Sequence, residues 1–338
     1  MLICLFTEFA VCRWRVESGR ITGVTTEDYR EFYLGGRAAS TLSVYRGAFK
    51  VVLEHAKDIR VSIFRWGEGE VMGLVVKLAR EKKGENMMKS CSAVVNMLFE
   101  AAGLEAPTKG ASLKKVKVTA VKMMNVAKEK KVKKAMTIKD VSKMIRMIYL
   151  EGKEVAKERR RFLALMLVTF FGVKRFSDVN KVKVKDVDFK EDGSVEVWMK
   201  YSKTDAVGKG EVFKITGRRR KGVSVVKILR WYIRSLRLGL EDFLFCKLGS
   251  KGEVYGKDFM RYQEARRSVL QEQKELGLEG LTLHSARVGG ATEAAACGVG
   301  RAEIKQAGGW KSDAVDIYIQ AKGKGKTVSR ALVDRLMV

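Results

Sequence analysis

The chain has 338 residues, enough for two domains of ordinary size, and 46% of them are apolar, which excludes a wholly disordered polymer. Lys and Arg number 67 against 39 Asp and Glu, a net charge of +28 that points to a polyanionic partner. The longest apolar run, Phe162 to Val173, has 12 residues where a membrane-spanning helix needs roughly 20, so nucleic acid is expected and membrane is not.

Residues 1–21 open with MLICLFTEFAVC, which is apolar but lacks a basic leader and a small-residue cleavage site. This segment reads as a docked segment of open role or as an artefact of the start site, not as a signal peptide. A helical pattern starts at Ser40 as N-cap, with Leu42, Tyr45, Phe49, Val52 and Leu53 at helical spacing. A second helix follows in VMGLVVKLAREK, and a third in MMKSCSAVVNMLFEAAG, which ends at Gly103. The fourth, SLKKVKVTAVKMMNVAKEK, sets Leu113, Val116, Ala120, Met123, Met124 and Ala127 on one apolar face. Its lysines Lys114, Lys115, Lys117 and Lys122 ride a basic side that either tracks phosphates or is simply solvated. Together these helices predict a small all-helical domain over residues 22–127, followed by a basic linker at 128–136.

Thr137 then caps the helix TIKDVSKMIRMI, and a long apolar helix, RRRFLALMLVTFFG, delivers Lys174-Arg175-Phe176-Ser177-Asp178 at its end. Three strand signals, DVDFK, SVEVWMK and EVFKI, are punctuated by Gly193 and a turn at Gly208–Gly210, predicting a small antiparallel sheet. The basic loop GRRRKG, with Arg218, Arg219 and Arg220, follows the last strand and is either a DNA-backbone contact or a solvated loop. The rest reads as helical, through VVKILRWYIRSLR and DFMRYQEARRSVLQEQKEL to the stretch HSARVGGAT. This second domain spans residues 137–326. In the tail, 327–338, Val328, Leu332 and Leu336 form a narrow stripe that docks either on a neighbouring subunit or on its own chain.

The five cysteines (Cys4, Cys12, Cys91, Cys246, Cys297) are odd in number and form no CxxC, which fits reduced thiols inside a cell. Two histidines without paired cysteines give no zinc pattern, and no GxxxxGK[ST] is present. Neither a metal nor a cofactor is expected.

Cutting a phosphodiester without metal needs fixed cations on the non-bridging oxygens, a nucleophile that stores the bond covalently, and a proton donor for the leaving oxygen. Arginine suits the first task because its fork is always charged and bidentate. Each part has a candidate. Arg175 follows the apolar helix, where Ser177 and Asp178 can orient it. Lys203 lies in SKTDAVGKG between two strand signals, and His284 and Arg287 share one face of a helix at i, i+3 spacing. Trp310 and Tyr318 come after, and no tyrosine follows Tyr318.

In these residues the chain resembles the tyrosine recombinases, the phage integrase family. RFSD at 175–178 is similar to the first arginine box, and SKTD to the lysine hairpin. HSARVGGATEAAACGV with IKQAGGWKSDAVDIYI is similar to the second box, and the order is kept over roughly residues 137–325. Ala286 stands where the family often has leucine, and the eight-residue step from Trp310 to Tyr318 is a little shorter than is common. The resemblance implies a mainly α fold with a small antiparallel sheet: an N-terminal helical, SAM-like core-binding domain and a C-terminal catalytic domain. It implies Tyr318 as nucleophile, Arg175 and Arg287 on the scissile phosphate, and His284 assisting proton transfer. Lys203 would protonate the 5′-oxygen, Trp310 would pack and donate its indole N–H, and Asp178 would support the arginine and the histidine from behind. The expected partner is double-stranded DNA at specific sites, bound by a homotetramer on two sites. The expected location is with the DNA, in cytoplasm, nucleoid or nucleus. Two other readings stay open: a topoisomerase-like or resolvase enzyme, and a DNA-binding accessory protein that has lost catalysis.

Overall fold

The computed structural model describes residues 39–125, 134–151, 154–200, 209–217 and 223–317, together with Val328 and Leu332. The chain divides into two compact units, Met1–Lys130 and Lys131–Val338. Among the described residues, no helix is long and apolar enough to cross a membrane.

The first unit holds four helices: α1 (Ala39–Ile59), α2 (Glu68–Arg80), α3 (Glu85–Ala101) and α4 (Ala111–Asn125). Helix α1 packs on α3, and α2 on α4, around Val52, Leu74, Leu78, Val94 and Leu113. The chain is already helical at Ala39, so Ser40 lies inside α1 and is not its N-cap. Periodicity locates a helix better than it locates the terminal residue. Gly103 terminates α3 as expected, adopting φ +60° while its N–H donates to the Glu100 carbonyl at 2.9 Å.

Helix α4 starts against an acid from α2, where the Glu68 carboxylate accepts the Leu113 N–H at 2.6 Å. A carboxylate at a helix N-terminus meets both the open N–H groups and the positive end of the dipole. The expected faces of α4 need two corrections. Met123 is 63% exposed, because Leu113, Ala120 and Met124 already fill the inward stripe. Lys114, Lys115 and Lys122 are exposed, whereas Lys117 is half-buried beside that stripe, and burial pushes its pKa down. The other histidine of the chain, His55, is buried here, with Nε2 3.2 Å from the Glu70 carbonyl. Burial lowers its pKa.

The second unit begins with α5 (Ile138–Ile145), continued by a π-turn over Arg146–Leu150. Thr137 caps α5 as expected: its hydroxyl oxygen accepts the Asp140 N–H at 3.2 Å, while Asp140 accepts the Thr137 N–H at 2.9 Å. Helix α6 (Lys157–Phe171) is central, and every residue from Arg161 to Phe171 is buried. A helix apolar around its whole circumference needs neighbours on all sides. Around α6 lie α8 (Val225–Ser235), α9 (Tyr262–Glu275) and α10 (Leu283–Ala296). The buried Arg161 fastens α6 outward, donating to the Cys246 carbonyl and to Glu264 on α9, both at 2.6 Å. The one-turn helix α7 (Phe176–Val179) and α11 (Arg301–Gly308) complete the helices labelled here.

Strands β1 (Val187–Phe189), β2 (Val195–Met199) and β3 (Glu211–Ile215) form the expected antiparallel sheet, with Val187 opposite Val197 and Val197 opposite Phe213. Gly193 turns the first hairpin at φ +76°. The stretch after the sheet is not wholly helical. Strands β4 (Cys246–Leu248) and β5 (Val254–Phe259) make a second antiparallel pair, and α9 starts only at Tyr262. The Gly249–Gly252 turn between them, with Gly252 at φ +78°, was the available signal, but a three-residue strand is too short to show alternation.

In the tail, Val328 and Leu332 are buried in the core of this same unit. Residues 1–21, positions 128–133 of the linker and the remainder of the 327–338 helix lie outside the described residues.

Candidate active site

The site is built where α6 ends. Gly172 is followed by Val173 at φ +52°, the left-handed region. Val173 N–H donates to the Phe170 carbonyl at 3.3 Å, and Lys174 N–H donates to the Thr169 carbonyl at 3.0 Å. This bond pair is a Schellman motif, in which glycine is the usual left-handed residue. A β-branched valine there costs about 1–2 kcal/mol of backbone strain. The turn brings two cationic residues together in sequence. Lys174 is buried, while Arg175 is partly exposed and starts α7.

Asp178 contacts Arg175 twice. It accepts the Arg175 N–H at 3.1 Å, and the same carboxylate oxygen lies 3.5 Å from Nη1. The Asp178 side chain is 3% exposed, so its charge is held among protein groups, not in water. Ser177 is exposed and takes no part in this contact.

The second cluster comes from α10. Thr282 and Ser285 close its N-terminus, with Thr282 N–H donating to Ser285 Oγ at 2.8 Å. His284 stands exposed in the first turn, and Arg287 follows one turn later, fully buried. Arg287 Nη1 donates to the Val173 carbonyl at 2.9 Å, so the strained turn that leads to Arg175 also orients Arg287. Over the guanidinium lies the Trp310 ring, with its centroid 3.8 Å from Cζ. At that range the ring face attracts the cation.

The two glycines of HSARVGGAT make this approach possible. A Cβ on Gly289 would sit 1.9 Å from the Met136 carbonyl oxygen, and one on Gly290 would sit 2.2 Å from that of Phe170. Backbone lies against backbone, which fixes the depth of α10 against α6. Gly308 does the same for the indole, since a Cβ there would fall 1.8 Å from the Trp310 ring.

Among the expected residues, the structure joins Arg175, Asp178, Arg287 and Trp310 around one turn, with His284 on the same helix as Arg287. Lys203, Tyr318, Arg218, Arg219 and Arg220 lie outside the described residues. Lys114, Lys115, Lys117 and Lys122 belong to the other compact unit. Sequence reasoning assigned no role to Lys174 or Val173, which flank the site, nor to Glu211, whose carboxylate lies 2.5 Å from Lys174 Nζ. The pairing of Lys174 with Glu211 spans 37 positions and leaves no local signal.

No family model matches the chain, and neither does any curated protein. Solved structures do. A XerH site-specific recombinase bound to palindromic difH substrate, a post-cleavage complex, superposes with a TM-score of 0.61 at 15% identity over 94% of this chain and 91% of that one. The Tn1549 transposon integrase in complex with transposon right end DNA gives 0.57 at 13% identity over 98% and 99%. A lambda integrase tetramer bound to a Holliday junction gives 0.56 at 15% identity over 93% and 82%. These neighbours are tyrosine recombinases, and the likeness is one of architecture over most of each chain. The chain has the tyrosine recombinase fold.

Proposed function

We propose that this protein is a site-specific DNA recombinase that cuts and rejoins strands through a 3′-phosphotyrosine, as the integrase of a virus or other mobile element. The observation that carries the reading is the convergence of Arg175, braced by Asp178, and Arg287, stacked under Trp310, on one turn of a recombinase fold. Two guanidinium groups are what a phosphodiester needs as negative charge grows on its non-bridging oxygens.

In this reading the Tyr318 hydroxyl gives its proton up to His284 as its oxygen attacks phosphorus, and the P–O bond to the 5′-oxygen breaks. Lys203 gives that oxygen a proton, and His284 assists proton transfer at the phosphate. Rejoining runs the same steps backward with a 5′-hydroxyl as attacker, so the bond energy is conserved in the phosphotyrosine. Asp178 keeps the Arg175 fork aimed. Arg287 is enclosed by protein, so a phosphate meets it only after a local shift of the groups around it, with the indole kept against the guanidinium face. The helical unit would grip the duplex, with GRRRKG and the α4 lysines on its backbone. Four protomers would act on two sites, inside the cell where the DNA is, with the 327–338 helix available for docking between protomers.

The test is a trap on nicked duplex from the ends of the element, run without added metal and read on a denaturing gel. A slower protein–DNA band is expected, absent in Tyr318→Phe. Salt-sensitive binding without any band would favour an accessory DNA-binding protein. A band that survives Tyr318→Phe would overturn the nucleophile.

A further inference from the structure

We infer that Lys174, tied to Glu211, is the positioning residue that holds both candidate phosphate-binding arginines in register; the inference rests on the functional reading above. Three consecutive residues carry the argument. The Val173 carbonyl holds Arg287, Lys174 is pinned to β3, and Arg175 is the other arginine. Neighbouring Cα atoms are about 3.8 Å apart, so a shift at Lys174 passes directly to both.

The pin is well made. The Lys174 side chain is 1% exposed, with Nζ 2.5 Å from Glu211 Oε1 and 5.4 Å from the Phe213 ring centroid. Both partners lie on β3, which pairs with β2 along its whole length, Glu211 lying opposite Met199. Gly172 admits this contact, since a Cβ there would fall 2.6 Å from the Phe213 ring. Burial pushes the Lys174 pKa down, while Glu211, and then Asp178, pull it back up. A buried ammonium needs such a partner, and a mispaired one would unseat the turn. With its ammonium held by Glu211 on β3, Lys174 acts through the turn and not on the phosphate.

A positioning role predicts a chemical signature. Replacing one non-bridging oxygen of the scissile phosphate by methyl removes its charge, and with it most of the need for well-placed guanidinium groups. Lys174→Met keeps the aliphatic stem and leaves no buried cation, while Glu211, about one third exposed, can rehydrate. Covalent-complex formation would be measured in single turnover at saturating protein. On the phosphodiester we expect a loss of about 10²-fold, the scale of a 1 Å misplacement. On the methylphosphonate the loss should shrink below about tenfold. Glu211→Gln, which retains an acceptor oxygen, should show the same pattern and serves if Lys174→Met folds poorly. Ile228→Ala, in the core of α8, is the control for destabilisation alone and should lose equally on both substrates.

Unchanged rates on both substrates, or equal losses on both, overturn the inference. Arg175→Ala separates it from the functional reading: if that variant cleaves the phosphodiester at the unsubstituted rate, the reading itself fails and takes the inference with it.

Discussion

Trp310 and Gly308 form a matched pair that no single contact of Arg287 explains. The indole covers the guanidinium at 3.8 Å, and the space for it exists because position 308 lacks a Cβ. Two adjacent glycines therefore do different work. Gly309 adopts φ +63° and closes α11 as its left-handed cap, so Gly309→Ala should cost only about 1–2 kcal/mol of backbone strain. Gly308→Ala instead places a methyl 1.8 Å from the ring and must displace the indole. We expect it to cut strand cleavage by at least about tenfold, the loss of about 1.4 kcal/mol of preorganisation. DNA affinity, which rests mainly on other phosphate contacts, should change little. Parallel cleavage and binding titrations on the two variants would decide. Equal effects from both would mean that the stack has no part in the chemistry.

At the scale of elements, the depth of α10 against α6 is set by Gly290, whose added Cβ would lie 2.2 Å from a backbone oxygen that cannot rotate away. Overpacking of this kind costs about 1–3 kcal/mol, and Gly290→Ala should reach the upper end in urea denaturation. Gly47 in α1 is the contrast: nothing lies within 4 Å of its added Cβ, so Gly47→Ala should stabilise by up to about 1 kcal/mol. What the sequence made legible follows the same division. Local signals read true: the Thr137 cap, the Gly103 terminator, the strand signal in SVEVWMK, and the i, i+3 pair His284 and Arg287 on one helix. Features made by distant packing did not. Nothing near Lys174 announces Glu211, and nothing near Val173 announces a left-handed valine whose carbonyl serves Arg287. Strand β4 has only three residues and β5 is interrupted by Gly256, so neither shows a clean alternation, and Met123 is exposed because three residues already complete the stripe of α4.

For the whole molecule the governing quantity is the net charge of +28, whose use must be localised to mean anything. On α4 the structure separates two kinds of lysine. Lys114, Lys115 and Lys122 are exposed, whereas Lys117 is half-buried with its pKa pushed down by burial. If the exposed three lie on phosphates, each releases close to one counterion, and the slope of log K against log salt falls by about 0.9 per contact. Replacing all three by Gln should therefore flatten the slope by about 2–3 units between roughly 50 and 200 mM salt. Lys117→Gln should leave the slope unchanged while altering stability, since Lys117 is half-buried. The triple variant removes three charges and Lys117→Gln one, so the slopes are compared per charge removed. An unchanged slope in the triple variant would assign these lysines to solubility and move the search for the backbone contacts to other basic surfaces. A slope change in Lys117→Gln of about one third of the triple variant's would mean that charge alone, regardless of which face carries it, governs the encounter with DNA.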